Sequence, residues 1–220
     1  MHRRFVLVGA LLAVAISSVL AAEPKHTPTP AEAVVPAYMS AVRVGDWKKA
    51  GNLLHPEALA EMRQVFMDLT SADPSGQAAK QLFNLAEGET LEKLPAPEVF
   101  ARFMSALVSQ TDGLKELLAS TQVETLGSVA ESAGMSHVVY RLTRTSTGQP
   151  PTPQIEVLTV KKSGADWRSM VPPDIAGILA SIRSSIAQRE AMLKQMQSQQ
   201  QQQGEDFPQL DLDPKAPPTP

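Results

Sequence analysis

Few side chains in this chain have both the chemistry and the setting to act on another molecule. Histidine comes first, because its ring titrates near neutral pH and serves as acid, base or metal ligand. The chain holds four histidines, of which His55 and His137 fall within patterned, foldable sequence. At a pocket mouth His55 would act as a general acid or base. Otherwise, standing directly before Pro56, it caps a helix or lies at the surface. Asp46 is a second candidate base, since an apolar enclosure can raise a carboxylate's pKa. It follows Gly45 directly, however, and that placement suits a helix N-cap. His137 and Arg141 share one face of an alternating run and would form a small cationic site for a carboxylate if that face lined a concavity. The more apolar alternation of Val138, Tyr140 and Leu142 argues that the opposite face is the inner one. Tyr38 could donate into a pocket or be an ordinary core tyrosine. Trp167 could cover a ligand or anchor a sheet to a helix.

No zinc-protease helix motif, phosphate loop, dinucleotide fingerprint or nucleophile elbow is present. The two internal histidines have no i, i+4 partner, and the carboxylates are scattered. The sequence therefore points to no metal site and no cofactor.

The elements that must position these residues begin with Ala31–Leu69, AEAVVPAYMSAVRVGDWKKAGNLLHPEALAEMRQVFMDL. Val35, Tyr38, Met39 and Val42 recur at the spacing of one helix face. Pro36 is tolerated if it stands in the first turn. Gly45 fits the left-handed position past the helix end, and Asp46 opens a short helix through Leu54. Pro56 starts a third helix, with Leu59, Met62, Val65, Phe66 and Leu69 on its stripe. Asp73-Pro74 predicts a further helix to about Ala86, and Thr90–Leu94 one more turn. Pro97 opens a helix carrying Val99, Phe100, Phe103, Met104 and Leu107, and a short one follows Thr111-Asp112.

After Ser120 the period changes from helix to strand. Thr121–Glu131 alternates, with Val123, Thr125, Gly127 and Val129 on one side. His137–Ser146, Ile155–Lys162 and Trp167–Val171 follow across short turns, which predicts an antiparallel meander. Pro172-Pro173-Asp174 then opens a long last helix striped by Ile175, Ile178, Leu179, Ile182 and Ile186. The fold class is therefore α+β: N-terminal helices packed on a curved four-stranded antiparallel meander, with a long C-terminal helix. Beyond Gln188 the stripe thins to Met192, Leu193 and Met196. These three are candidate partner contacts, because Met-rich helical surface adapts to other proteins. The Gln199–Gln203 run and the acidic, proline-rich end cannot bury enough apolar area to offset ordering entropy, so 189–220 reads as helix end and disordered tail.

The N-terminus carries Arg3-Arg4, an apolar run from Phe5 to Ile16 and small residues to Ala22, the pattern of a secretory signal. The run is shorter than the ~20 residues that span a bilayer. Residues 1–22 are thus expected to be a signal peptide, 23–30 a linker and 31–188 the domain. Loss of Met1–Ala22 removes two arginines and no acid, moving the net charge from −3 to −5. That excludes a general basic footprint for nucleic acid or anionic membrane. With no cysteine, the domain relies on its core without disulfides. A periplasmic or secreted location is expected, with no membrane span after cleavage.

Two stretches carry a resemblance. Val35-Pro36-Ala37-Tyr38 through Gly45-Asp46-Trp47, with Leu54-His55-Pro56, resembles the opening of the nuclear-transport-factor-two-like (ketosteroid-isomerase-like) superfamily. Val160–Arg168, VKKSGADWR, is similar to its closing hairpin. The resemblance implies a curved sheet wrapped around helices in a cone with an internal pocket. It also implies a function class that ranges from isomerases and dehydratases to non-catalytic binders. The helical reading of Glu57–Ala86 and the long helix after Asp174 depart from the usual pattern.

The leading expectation is a non-catalytic exported domain that binds a small ligand or an envelope protein. The alternatives are a pocket enzyme of the isomerase or dehydratase kind and an assembly factor acting through the last helix and tail. An enzyme would need at least two ionisable groups converging on an enclosed cavity.

Overall fold

The computed structural model describes residues 27–71, 73, 75–145 and 150–205. The expected signal peptide and residues 206–220 of the expected tail lie outside the described residues. Among the described residues, helices come first, then a four-stranded antiparallel sheet in the order β1-β2-β3-β4, then a long helix. The fold is mixed α+β and the sheet is open.

Helix α1 (Val34–Val44) takes Pro36 in its first turn and ends at Gly45, whose φ of 72° is the left-handed conformation a glycine adopts without strain. Its entry is fixed by a reciprocal pair of bonds. The Thr29 amide donates to Glu32 Oε2 at 2.8 Å, and the Glu32 amide donates to Thr29 Oγ1 at 3.3 Å. Asp46 caps α2 (Trp47–Asn52), accepting from the Lys49 amide at 3.0 Å. α3 (Pro56–Ser71) follows. The next helix, α4 (Gln77–Phe83), starts later than the Asp73-Pro74 signal predicts. The Asp73 carboxylate accepts from the Ser75 amide and hydroxyl in a local turn, and Gly76 then stands at φ 65°. A 3-10 turn at Leu91–Lys93 leads to α5 (Ala96–Gln110) and α6 (Leu114–Ser120).

Strands β1 (Gln122–Ser132), β2 (Met135–Arg144), β3 (Thr152–Ser163) and β4 (Asp166–Ser169) pair as neighbours. β1 departs from its simple alternation. A register shift between Thr125 and Gly127 inserts one residue, so Val123 faces Leu142 while Val129 stands opposite His137. Val129 is consequently 64% exposed and not on Val123's side. After β4 the chain enters α7 (Pro173–Glu205). α7 continues through Gln199–Gln203, the tract expected to be disordered, in a stretch of Gln, Lys, Ala and Met, all of high intrinsic helix propensity.

Two apolar clusters form the core. One joins α1–α5 and the start of α7, with Phe66, Phe83 and Phe103 in edge-on and tilted ring contacts at centroid separations of 4.4–6.0 Å. The other packs Val34 and Val35 of α1 on Val138, Tyr140, Leu158 and Val160 of the sheet. Met39 touches both clusters.

Candidate functional site

Between the two clusters lies a cavity of about 300 Å³. α1 contributes Val35, Tyr38 and Val42, with Met104 and Leu107 from α5 and Leu118 from α6. The inner face of the sheet supplies Tyr140, Leu142 and Leu158, and the start of α7 supplies Ile175 and Ile178. Most of this wall is aliphatic, the character of a site for a small organic molecule.

One end of the cavity is polar. Tyr140 and Glu156 stand directly opposite on β2 and β3, and the Tyr140 hydroxyl donates to Glu156 Oε2 at 2.6 Å. Arg144, two pleats along β2 from Tyr140, places Nη2 2.7 Å from Asp174 Oδ2 and 3.8 Å from Glu156 Oε1. Its Nη1 donates to Gln154 Oε1 at 3.1 Å. These contacts tie the end of β2 to the first turn of α7. Tyr38 completes the group. It is 4% exposed, and its hydroxyl has no hydrogen-bond partner among the described residues. Burial, and then the nearby Asp174 carboxylate, push the Tyr38 phenol well above its ordinary value of 10.0. Burial, the bond to Glu156 and the charges of Glu156 and Asp174 do the same to Tyr140. Both phenols therefore stay protonated at physiological pH, and each acts as a neutral hydroxyl.

Of the residues singled out from the sequence, Tyr38 lines this cavity and the others lie elsewhere. Asp46 is the cap of α2 and borders an open polar groove with Glu98 and Arg102. His55 is buried between α3 and the sheet. Its Nδ1 accepts from the Glu57 amide at 3.2 Å, which leaves Nε2 to donate to the Lys162 carbonyl at 3.3 Å. The backbone around it is held as well: His55 N donates to Ser169 O at 2.7 Å, and Leu54 forms a parallel bridge with Ser169. His137 and Arg141 are on the outer sheet face. His137 bonds Glu131 at 2.8 Å and Thr159 at 3.1 Å, and Arg141 pairs with Glu124 across β1–β2. Trp167, on β4, packs on the sheet cluster with Lys162 Nζ 5.4 Å from its ring. Met192, Leu193 and Met196 are exposed on α7.

Glu156, Arg144 and Asp174 were not among the sequence candidates. A signal for the first two existed. Glu156 has the same strand parity as Leu158 and Val160, and Arg144 that of Val138, Tyr140 and Leu142. A charged residue on the apolar parity of a strand faces inward. Among the described residues no cluster of three or more His, Cys, Asp or Glu side chains could hold a metal ion. No described helix is long and apolar enough to cross a membrane. Comparison with protein families and with curated proteins finds no match for the chain.

Proposed function

We propose that this is an exported domain whose cavity between α1, α5, α6, the sheet and α7 binds a small, largely apolar molecule. The observation that carries this reading is the mainly aliphatic cavity whose one polar end brings the Tyr38 hydroxyl, without a partner among the described residues, beside the Tyr140–Glu156 pair. A ligand's polar head would bond at that end while its body lay against the aliphatic wall. The N-terminal Arg3-Arg4, apolar run and small residues support export to the periplasm or exterior. The placement of the cavity between helices and an antiparallel sheet supports kinship with the nuclear-transport-factor-two-like superfamily.

Native mass spectrometry of the protein purified gently from the exported fraction tests the proposal. Added mass on the wild type, absent from Leu107→Trp, where an indole fills space at the cavity wall, is the expected result. A clean mass together with no thermal shift across a broad panel of apolar compounds would overturn it.

A second reading, a pocket enzyme of the isomerase or dehydratase kind, is favoured by the Glu156 carboxylate, which borders the cavity and could take a proton from a bound molecule. Incubating the recovered ligand with protein in heavy water decides between the two. Deuterium entering a carbon position, and failing to enter with Glu156→Gln, marks an enzyme. No incorporation leaves a binding domain.

A further inference from the structure

The polar end of the cavity is unbalanced in both charge and hydrogen bonding. Two carboxylates, Glu156 and Asp174, meet one guanidinium, Arg144. Arg144 sits 2.7 Å from Asp174 and 3.8 Å from Glu156, so its charge is committed chiefly to Asp174. The Asp174 carboxylate also stands in the first turn of α7, where the helix start favours a negative charge. Glu156 is left as the less compensated anion, and its side chain is only 16% exposed.

The hydrogen-bond inventory leans the same way. Tyr140 gives its only proton to Glu156 at 2.6 Å, so toward the cavity its oxygen offers lone pairs alone. Glu156 can accept at several further lone-pair sites. The Tyr38 hydroxyl is free to accept or to donate, and two of the five N–H donors of Arg144 are engaged, with Gln154 and Asp174. An entering carboxylate would be the third around one guanidinium and would meet like-charge repulsion from Glu156 and Asp174. An entering donor meets three acceptors and two tyrosine rings whose faces attract cations.

We infer that the cavity takes a small apolar molecule ending in an ammonium group, seated against Glu156, Tyr140 and Tyr38 with its aliphatic body among Val42, Leu142 and Leu158. This rests on the cavity being a ligand site, so the test separates the head-group preference from the existence of the site.

The full chain, carrying 13C-labelled Ile, Leu and Met methyl groups, is titrated at neutral pH with hexylamine, hexanol and hexanoate. The cavity methyls of Leu142, Leu158 and Ile178 report binding. Met62, buried in the helical core, is the remote control. The expected result is that the cavity methyls shift and that hexylamine binds about tenfold more tightly than hexanol, the ratio that one charge-assisted bond supplies over a neutral one. Hexanoate should bind weakest. In Glu156→Gln the amine's advantage should vanish while hexanol binding persists. Should that variant fail to fold, the salt dependence of the wild type serves instead: amine affinity should fall with added salt and alcohol affinity should not. Equal binding of all three compounds, or tighter binding of hexanoate, would overturn the ammonium assignment and leave the site intact. Absence of any shift with all three would overturn both.

Discussion

The Ser128 hydroxyl donates to Glu32 Oε1 at 2.8 Å, joining the entry of α1 to β1 over 96 residues of chain. Glu32 is 1% exposed, and its other oxygen holds the Thr29 amide at 2.8 Å. The Ser128 contact depends on the extra residue in β1. Without the shift between Thr125 and Gly127, Ser128 would point outward and Val129 inward. One inserted residue thus replaces an apolar contact by a buried polar clasp, and the clasp seats α1 on the sheet that it shares the cavity with.

Ser128→Ala should therefore lower stability by about 1–3 kcal/mol, the cost of leaving a buried acceptor short of a partner. Urea denaturation reads this as a lower midpoint with unchanged slope. A midpoint equal to wild type would show that the clasp contributes nothing to stability.

Gly51 in α2 lies where a Cβ would stand 3.0 Å from the Pro97 carbonyl oxygen and 3.1 Å from the Phe100 ring. Overpacking of this kind costs about 1–3 kcal/mol, against roughly 1 kcal/mol gained from alanine's helix propensity. Gly51→Ala should lower the melting temperature by a few degrees, since about 1 kcal/mol moves Tm by 2–4 °C in a chain of this size. A raised Tm would mean that α5 can move away from α2 without loss.

Acid should weaken the α4–α5 corner. Arg102 grips Glu89 with two bonds, at 2.7 and 2.9 Å, and this pairing holds the Glu89 carboxyl below its ordinary value of 4.5. A depressed folded pKa contributes stability above the unfolded value and loses it as pH falls through the folded one. Glu89→Gln should therefore be less stable than wild type at neutral pH, with the difference closing as pH drops below the usual carboxylate range. Melting curves at several pH values check this. A difference that persists in acid would assign the effect to packing.

The far half of α7 should contribute little to the fold. From Ala187 to Gln200 every residue is exposed, and an unsupported helix of this length is marginal in water. Met192→Ser with Met196→Ser should change stability by less than about 0.5 kcal/mol. Amides of 187–205 should exchange with solvent much faster than those of 175–186. Strong protection there would point to a partner or second copy covering Met192, Leu193 and Met196, as an assembly role would require.

Much of the architecture follows from local chemistry that a linear reading can see. Gly45, Asp46 and Pro56 punctuate the helices through φ preference and capping, which act within four residues, and the structure places all three in those roles. The switch to period-two patterning after Ser120 marks the meander, because pleat alternation is intrinsic to a strand. The inner face of β2 was readable for the same reason. What local pattern could not supply was phase and convergence. The bulge in β1 reverses the face of Val129 through a pairing offset, and the one local sign of it is Gly127, at φ 154°, because a glycine inside a strand often marks a bulge. Asp73 and Gly76 hold the chain out of helix by a side-chain turn that competes with capping.

The cavity's polar end lies further still from local reading. Tyr38, Tyr140, Arg144, Glu156 and Asp174 come from four separate elements, and only strand register and the docking of α1 and α7 bring them to one end of the cavity. Residue identity determined that these groups exist and that Glu156 and Arg144 share the parity of the apolar face. Tertiary structure decided that they meet, because hydrogen bonds and charges act over a few ångströms in space while the sequence separates these groups by up to 136 positions.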